Sequence, residues 1–217
     1  MLIPLDQLIK NHKLDINGVL HLGAHTGEEA AAYHVNHVGA VYWVEGNPDL
    51  MRPLNRHLAK YPNQTAHHGL LADVTGQEMV FHISSNDTTP AGHIDHQSSS
   101  LLQLGTHLKS SPDVYFGRDI TLISTTVDDL VEREGIGSFN FMNLDLQGAE
   151  LLALLGADKA LRACNALYTE VNEREVYVGC VKIKELDRFL AQYGFTRRQT
   201  EWAGKAGWGD ALYVKGS

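Results

Sequence analysis

Apolar positions in this chain fall into short runs, each closed by glycine, asparagine or an acid and most followed by helical spacing. Residues 19–22 form the first run and end in Gly23-Ala24-His25-Thr26-Gly27. A helix is expected from Thr26 to about residue 35, with Thr26 as N-cap and Glu29 completing a capping box. A second run, 41–44, ends in Glu45; Asn47 then caps a helix that has Pro48 in its first turn. Weaker strands are expected at 65–71 and 80–83, and a further one at 120–125. The spacing predicts a short helix over 127–133, a strand over 139–144 ending in Asp145, and a strongly apolar helix over 148–161. A strand at 167–171 precedes a helix over 181–193, where Ile183, Leu186, Leu190 and Tyr193 recur at helical spacing. Gly194 stands where a C-cap glycine belongs. The runs 195–200 and 211–214 suit an antiparallel pair, and residues 4–14 a short leading helix. Alternating strands and helices point to an α/β fold with a parallel sheet.

One stretch breaks the pattern. Residues 84–118 show no sustained period and are rich in Ser, Thr, His, Asp and Gly. Loops of that length inside a compact domain are functional or disordered. We expect one domain over 1–217, with 84–118 as an insertion that covers the substrate.

The strand–turn–helix–strand unit over 19–50 brings backbone amides and a carboxylate to the carboxyl ends of neighbouring parallel strands, where ligands bind in open α/β sheets. Glu45 at a strand tip is placed to accept hydrogen bonds from two vicinal ribose hydroxyls. A dinucleotide turn needs G-x-G-x-x-G, so that backbone can approach a pyrophosphate. Here the glycines are at 23 and 27, and His25 would crowd a pyrophosphate. G-x-x-x-G followed by an acid suits S-adenosylmethionine, which carries no phosphate, better than a nicotinamide cofactor. Its methionine end should lie over Gly23, Ala24, His25, Thr26 and Gly27, its ribose on Glu45 beside Asn47, and its adenine near Leu71 to Asp73.

Composition narrows the setting. The chain has 217 residues, of which 43% are hydrophobic, and no apolar stretch approaches the roughly 20 residues of a membrane span. No signal-peptide pattern opens it, and two cysteines suggest no disulfide framework, so the cytoplasm is the expected compartment. A formal net charge of −8 without a Lys/Arg cluster argues against a nucleic-acid backbone as main partner.

Several segments together are similar to one known family. VLHLGAHTGEE, VYWVEGNP, TTVDDLVEREGIGSFNFMNLDLQGAELLALLGA, ALYTEVNEREVYVGC and LAQYGF resemble the FkbM-type methyltransferases, in matching order over most of the chain. The resemblance implies a class I methyltransferase, Rossmann-like, with a seven-stranded mostly parallel sheet, helices on both faces and an antiparallel last strand. It also implies O-methylation of sugars, glycans or polyketide-type natural products. Two positions depart from the family: His21 stands where an acid is usual, and His25 where a small amide is frequent. An acid at the first commonly helps hold the methionine ammonium. The departure keeps open a non-catalytic protein of the same fold.

A sugar hydroxyl must lose its proton as it attacks, so a base or a cation is required. Asp145, at the tip of a strand beside the glycine-turn strand, is the leading base; it could also bind the cofactor or cap a helix. Glu170 and Asn172, at the next strand tip, could join it in the catalytic set or in holding Mg²⁺. His93 and His96 lie in the long polar segment and are alternative bases. Ser98, Ser99, Arg174 and Tyr177 could bind substrate, Arg174 as a clamp on a phosphate or carboxylate. For Arg174 an ion pair with Glu173 or Glu175 is an equal reading.

Overall fold

The computed structural model describes residues 1–86 and 95–216. Its strands are β1 (Gly18–Leu22), β2 (Ala40–Glu45), β3 (Gln64–His68), β4 (Leu70–Leu71), β5 (Glu78–Asn86), β6 (Val114–Thr125), β7 (Phe141–Leu144), β8 (Ala166–Asn172), β9 (Phe195–Trp202) and β10 (Trp208–Lys215). Its helices are α1 (Leu5–His12), α2 (Ala30–Val35), α3 (Met51–Leu58), α4 (His107–Ser110), α5 (Val127–Arg133), α6 (Glu150–Leu155), α7 (Asp158–Ala163) and α8 (Ile183–Ala191). A seven-stranded sheet runs in the order β3-β2-β1-β7-β8-β10-β9. Strands β3, β2, β1, β7 and β8 are parallel, while β10 is antiparallel to both β8 and β9. This is the mostly parallel sheet with an antiparallel last strand that the sequence predicts.

Helices cover both faces, so alternate strand residues enter two separate cores. Leu20, Leu22, Met142, Leu144, Leu167 and Val171 pack with α5, α6, α7 and α8. Val19, Val41, Trp43, Phe141, Tyr168 and Leu212 pack with α1, α2 and α3. Double coverage is why these strands read as unbroken apolar runs rather than alternating ones. Each buried leucine contributes about 1.5–3 kcal/mol relative to exposure. Among the described residues no helix is long and apolar enough to cross a membrane.

Four boundaries differ from the sequence expectation. Helix α2 begins at Ala30, not Thr26; Thr26 Oγ1 donates to Glu28 at 2.8 Å instead of capping, and Glu29 is the N-cap without a side-chain cap bond. The strand expected at 65–71 divides at Gly69: β3 pairs with β2, whereas β4 leaves to pair with β6. Strands β5 and β6 extend well into the segment that lacked a period, pairing antiparallel from Glu78–Ile123 to Asn86–Val114. Their order comes from a partner strand and from Leu70, Phe81, Ile83, Ile120 and Leu122 packing together, which local periodicity cannot show. The helix expected over 148–161 is two, α6 and α7, separated at Gly156-Ala157.

That break has a packing cause. A Cβ on Gly156 would lie 2.6 Å from the Ala72 carbonyl oxygen and 2.9 Å from Thr126 Cβ. The Gly156 carbonyl accepts from Asp128 N at 3.0 Å, tying the break to α5. We expect Gly156→Ala to cost about 1–3 kcal/mol, as overpacking does. A lowered urea midpoint with unchanged slope would show it; an unchanged midpoint would refute the packing role.

Candidate functional site

The carboxyl ends of β1, β2 and β7 open into a cavity of about 580 Å³, roofed by residues 95–101 and His107. Its floor is the turn after β1. Gly23 has φ +90°, and a Cβ there would come within 1.9 Å of the Asp145 carbonyl oxygen, so only glycine lets the β1 and β7 tips meet. The turn's amides are turned inward: Gly23 and Ala24 donate to the Val44 carbonyl at 2.9 and 3.0 Å, and Gly27 to Ala24 at 2.8 Å. His25, at φ +45°, donates its amide to Glu45 Oε2 at 2.7 Å.

Glu45 is the most constrained acid of the site. Its second oxygen accepts the Asn47 amide at 2.6 Å, so both oxygens are held in the plane of two backbone donors. Burial pushes its pKa up to about 7, although those two donors act the other way. Each oxygen keeps a lone pair for a further donor. Leu50, Leu70, Leu71 and Phe81 form an apolar wall nearby.

His21 does not replace the expected acid by position alone. It stacks on Trp43 at 4.2 Å, and its Nδ1 lies 3.0 Å from the Tyr33 hydroxyl, which accepts from Asn143 Nδ2 at 2.9 Å. Burial lowers His21 to about 4, so it stays neutral and belongs to a packed polar network. Acids reach the same corner from elsewhere. The Met1 ammonium sits 3.0 Å from Glu29 and also feels Asp210 and Asp145; these acids outweigh burial and raise its pKa.

Across the cavity, Gln147 joins the strand tips. Its Nε2 donates to Asp145 Oδ1 at 2.5 Å and to Glu170 Oε2 at 3.1 Å, while its Oε1 accepts from the Tyr177 hydroxyl at 2.6 Å. Burial, then Asp210, raises Asp145 to about 6. Burial, the helix's own backbone and Asp145 act on Glu150, leaving it raised to about 7. Burial and the charges of Glu150, Asp145 and Asp210 push Glu170 well above the carboxylate range. One oxygen each of Glu150 and Glu170, and both side-chain polar atoms of Asn172, are buried without a protein partner. The turn itself is strained: Gln147 has φ +53°.

The roof is tied to the floor at two points. His25 Nδ1 faces Glu28 Oε1 at 2.6 Å and Nε2 faces the Asp95 carbonyl at 3.1 Å. Both partners are acceptors, so only the protonated ring satisfies both. Burial opposes that charge, but Glu28 and the Asp95 carbonyl prevail and His25 is raised. Ser100 Oγ donates to the Gln147 carbonyl at 2.8 Å. His96, at φ +88°, places Nδ1 2.6 Å from the Ser84 carbonyl. A carbonyl only accepts, so Nδ1 carries the proton, and in the neutral ring Nε2 keeps its lone pair. Three of the described non-glycine residues with positive φ, His25, His96 and Gln147, line this one cavity. Backbone strain of this kind clusters at working sites.

The residues expected from sequence separate cleanly. Gly23, Ala24, His25, Glu45, Leu71, His96, Ser98, Ser99, Asp145 and Glu170 all line the cavity. Asn47 acts on Glu45 through its amide, and Gly27 shapes the turn from behind. Thr26 and Asp73 do not line the cavity; Asp73 is exposed. Arg174 is exposed, 3.7 Å from Glu173, so the ion-pair reading holds and the clamp does not. Tyr177 does not line the cavity; it reaches the site through Gln147, Ser98 and a stack on His107. The Mg²⁺ set does not come together as expected: the Gln147 amide bridges Asp145 and Glu170, and Asn172 does not line the cavity. Among the described residues no three His, Cys, Asp or Glu side chains could hold a metal. His93 lies outside the described residues. Sequence pattern passes over Gln147, Glu150, Asp210 and His107. Gln147 and Glu150 lie in the L-D-L-Q-G-A-E run beside Asp145, while Asp210 and His107 carry no local signal.

Comparison with known proteins gives the family and the fold. A sequence model of the methyltransferase FkbM domain matches residues 21–197. The 2-O-methyltransferase NoeI of Sinorhizobium fredii is 27% identical over 96 residues, a match spanning 44% of this chain and 40% of that protein. The solved N-terminal domain of EvdMO1 with SAH bound has a TM-score of 0.52 at 12% identity, covering 99% of this chain and 81% of that one. Magnesium protoporphyrin IX methyltransferase from Synechocystis PCC 6803, also with bound SAH, has a TM-score of 0.51 at 11% identity, covering 97% and 80%.

The raised acids set a pH dependence. Glu45, Asp145 and Glu150 rise from 4.5, 3.8 and 4.5 to about 7, 6 and 7, so the folded chain holds protons that the unfolded chain has lost. Stability then falls as pH rises through that window. His25, raised above 6.5, contributes stability complete below 6.5 and lost as pH rises through its folded value. We expect the melting temperature to fall by about 3 °C or more between about pH 5.5 and pH 8. A melt that rises over that interval would contradict the assignment.

Proposed function

Because this chain belongs to the FkbM methyltransferase family, we propose that it is an S-adenosylmethionine-dependent O-methyltransferase acting on a hydroxyl of a sugar or glycan. The observation that carries the cofactor reading is Glu45, clamped by the His25 and Asn47 amides above a turn whose Gly23, Ala24, His25 and Gly27 amides are engaged by Val44, Glu45 and Ala24. Such a site offers acceptors to a ribose diol and little to a pyrophosphate. Support for a sugar comes from the relatives: NoeI is named a 2-O-methyltransferase, and EvdMO1 was solved with SAH and D-fucose.

In this reading Glu45 takes the ribose hydroxyls, Leu71 and the adjoining apolar wall take the adenine, and Gly23 to Gly27 underlie the methionine. Glu29 and Asp145 face the ammonium and the sulfonium charge. When bound, the cofactor supplies an already activated methyl group. The chain's remaining task is to place a hydroxyl and remove its proton. His96, which lines the cavity with Nδ1 donating to the Ser84 carbonyl, is placed to take that proton at Nε2. Ser98 and Ser99 beside it hydrogen-bond the acceptor, and the described residues 95–101 cover it. Asp145 is the second candidate base, poised near 6 yet partly occupied by the Gln147 amide. Mg²⁺ on Asp145, Glu170 and Asn172 has less support, for the reason given by Gln147. Two free buried cysteines suit a reducing compartment such as the cytoplasm.

Isothermal titration with S-adenosylhomocysteine tests the cofactor site. We expect Glu45→Ala to weaken binding at least tenfold, about 1.4 kcal/mol or more. Equal binding by variant and wild type would remove the ribose assignment. For the base, His96→Ala should lower kcat about 10²–10⁴-fold while leaving cofactor affinity unchanged. A kcat within threefold of wild type would transfer the role to Asp145.

A further inference from the structure

The charges around the cavity restrict the acceptor more tightly than the word sugar does. Resting on the methyltransferase reading above, we propose that the acceptor carries no phosphate or other anionic group when it is methylated. The sugar is then one already discharged from its nucleotide carrier. The reaction that supplies this substrate is a glycosyl transfer that releases a nucleoside diphosphate, and methylation follows it.

Among the described residues that line the cavity there is no Lys or Arg, whereas Glu28, Glu29, Glu45, Asp95, Asp145 and Glu170 all do. Residues 87–94, DTTPAGHI, contain neither Lys nor Arg in sequence. Among the described residues, the groups in the lining that could carry positive charge already have acceptors or are neutral. Both ring nitrogens of His25 face Glu28 and the Asp95 carbonyl. The Nδ1 proton of His96 goes to Ser84, and the Met1 ammonium goes to Glu29. His21 and His107 are lowered by burial and uncharged. Arginines stand outside: Arg174 lies against Gly207 beside Glu173, and Arg118 pairs with Asp49 on the surface.

Backbone offers no substitute. The amides of Gly23, Ala24 and His25 go to Val44 and Glu45 of β2 and that of Gly27 to Ala24, and α2 starts only at Ala30. The start of α6 does reach the lining at Ala149, but the Leu146 and Gly148 amides there donate to Glu150, and no arginine fork stands in the described lining. A diphosphate would bring its charges against Glu28 and Glu29, whose partners lower their pKa values and keep them ionised, in a partly desolvated space where repulsion is stronger than in water. An uncharged polyol meets a suitable surface instead. Its hydroxyls can donate to Asp145 and Glu170 and exchange hydrogen bonds with Ser98 and Ser99, and Trp208 offers a ring face to its apolar side.

The test uses the whole chain, labelled S-adenosylmethionine and paired acceptors. One arm is a panel of methyl glycosides of hexoses and 6-deoxyhexoses with short oligosaccharides ending in them; the other is the nucleoside-diphosphate form of each same sugar. A parallel titration with S-adenosylhomocysteine reports on the underlying reading. Transfer to the uncharged arm at least tenfold above its nucleotide partners is expected, with no inhibition by free uridine or guanosine diphosphate up to about 1 mM. Equal or greater transfer to a nucleotide sugar, or inhibition by the free diphosphates at lower concentration, would overturn the proposal. Transfer to neither arm by protein that binds S-adenosylhomocysteine would also overturn it while leaving the cofactor site intact. Failure to bind S-adenosylhomocysteine would instead remove the methyltransferase reading on which it rests.

Discussion

The tips of β1 and β7 meet without a side chain between them, and the arrangement of the site depends on that approach. Gly23 lies so close to the Asp145 carbonyl that any Cβ would overlap it, and its φ of +90° suits only glycine. The contact carries the turn under the cavity and brings Asp145 beside it. It also directs the Gly23 and Ala24 amides back to Val44, which places His25 where its own amide meets Glu45. A single steric condition thus sets both ends of the cofactor cradle.

Electrostatics supplies the second constraint. Asp145, Glu150, Glu170 and Asp210 are all raised, each mainly by burial, with Asp210 acting on Asp145, Asp145 on Glu150, and all three on Glu170. Buried charges without counterions are costly, and such groups take up protons instead. Gln147 relieves part of the conflict by donating to Asp145 and Glu170 at once. The strain stored at Gln147, with φ +53°, holds the bridging amide in place.

The roof follows from the floor. A histidine in the glycine turn is unwelcome to a pyrophosphate, yet here it serves as a strut, reaching Glu28 on one side and the Asp95 carbonyl on the other. Beyond Asp95 the chain turns at His96, fastens to Ser84 of β5, and returns to the Gln147 carbonyl through Ser100. Floor, acidic wall and roof are one hydrogen-bonded unit, and the charge of His25 is part of it.

Much of this was legible in the sequence. The alternation of apolar runs and helical spacing carried the α/β fold, because a strand covered on both faces must be apolar throughout. The glycine turn, Glu45 and Asp145 were legible because they sit at the ends of such runs, and a strand tip has one place to be. The antiparallel closing pair, 195–200 with 211–214, was readable for the same reason. What only the tertiary structure decided is how separate segments meet. The pairing of β5 with β6 and the division of the 148–161 helix at Gly156 depend on partners distant in sequence. So do the neutral burial of His21 against Trp43 and Tyr33, the Gln147 bridge and the removal of Arg174 from the cavity. Periodicity records which face of an element is buried, not which polar atom waits on the neighbouring element. The residues most concerned with chemistry here are held by such long-range contacts.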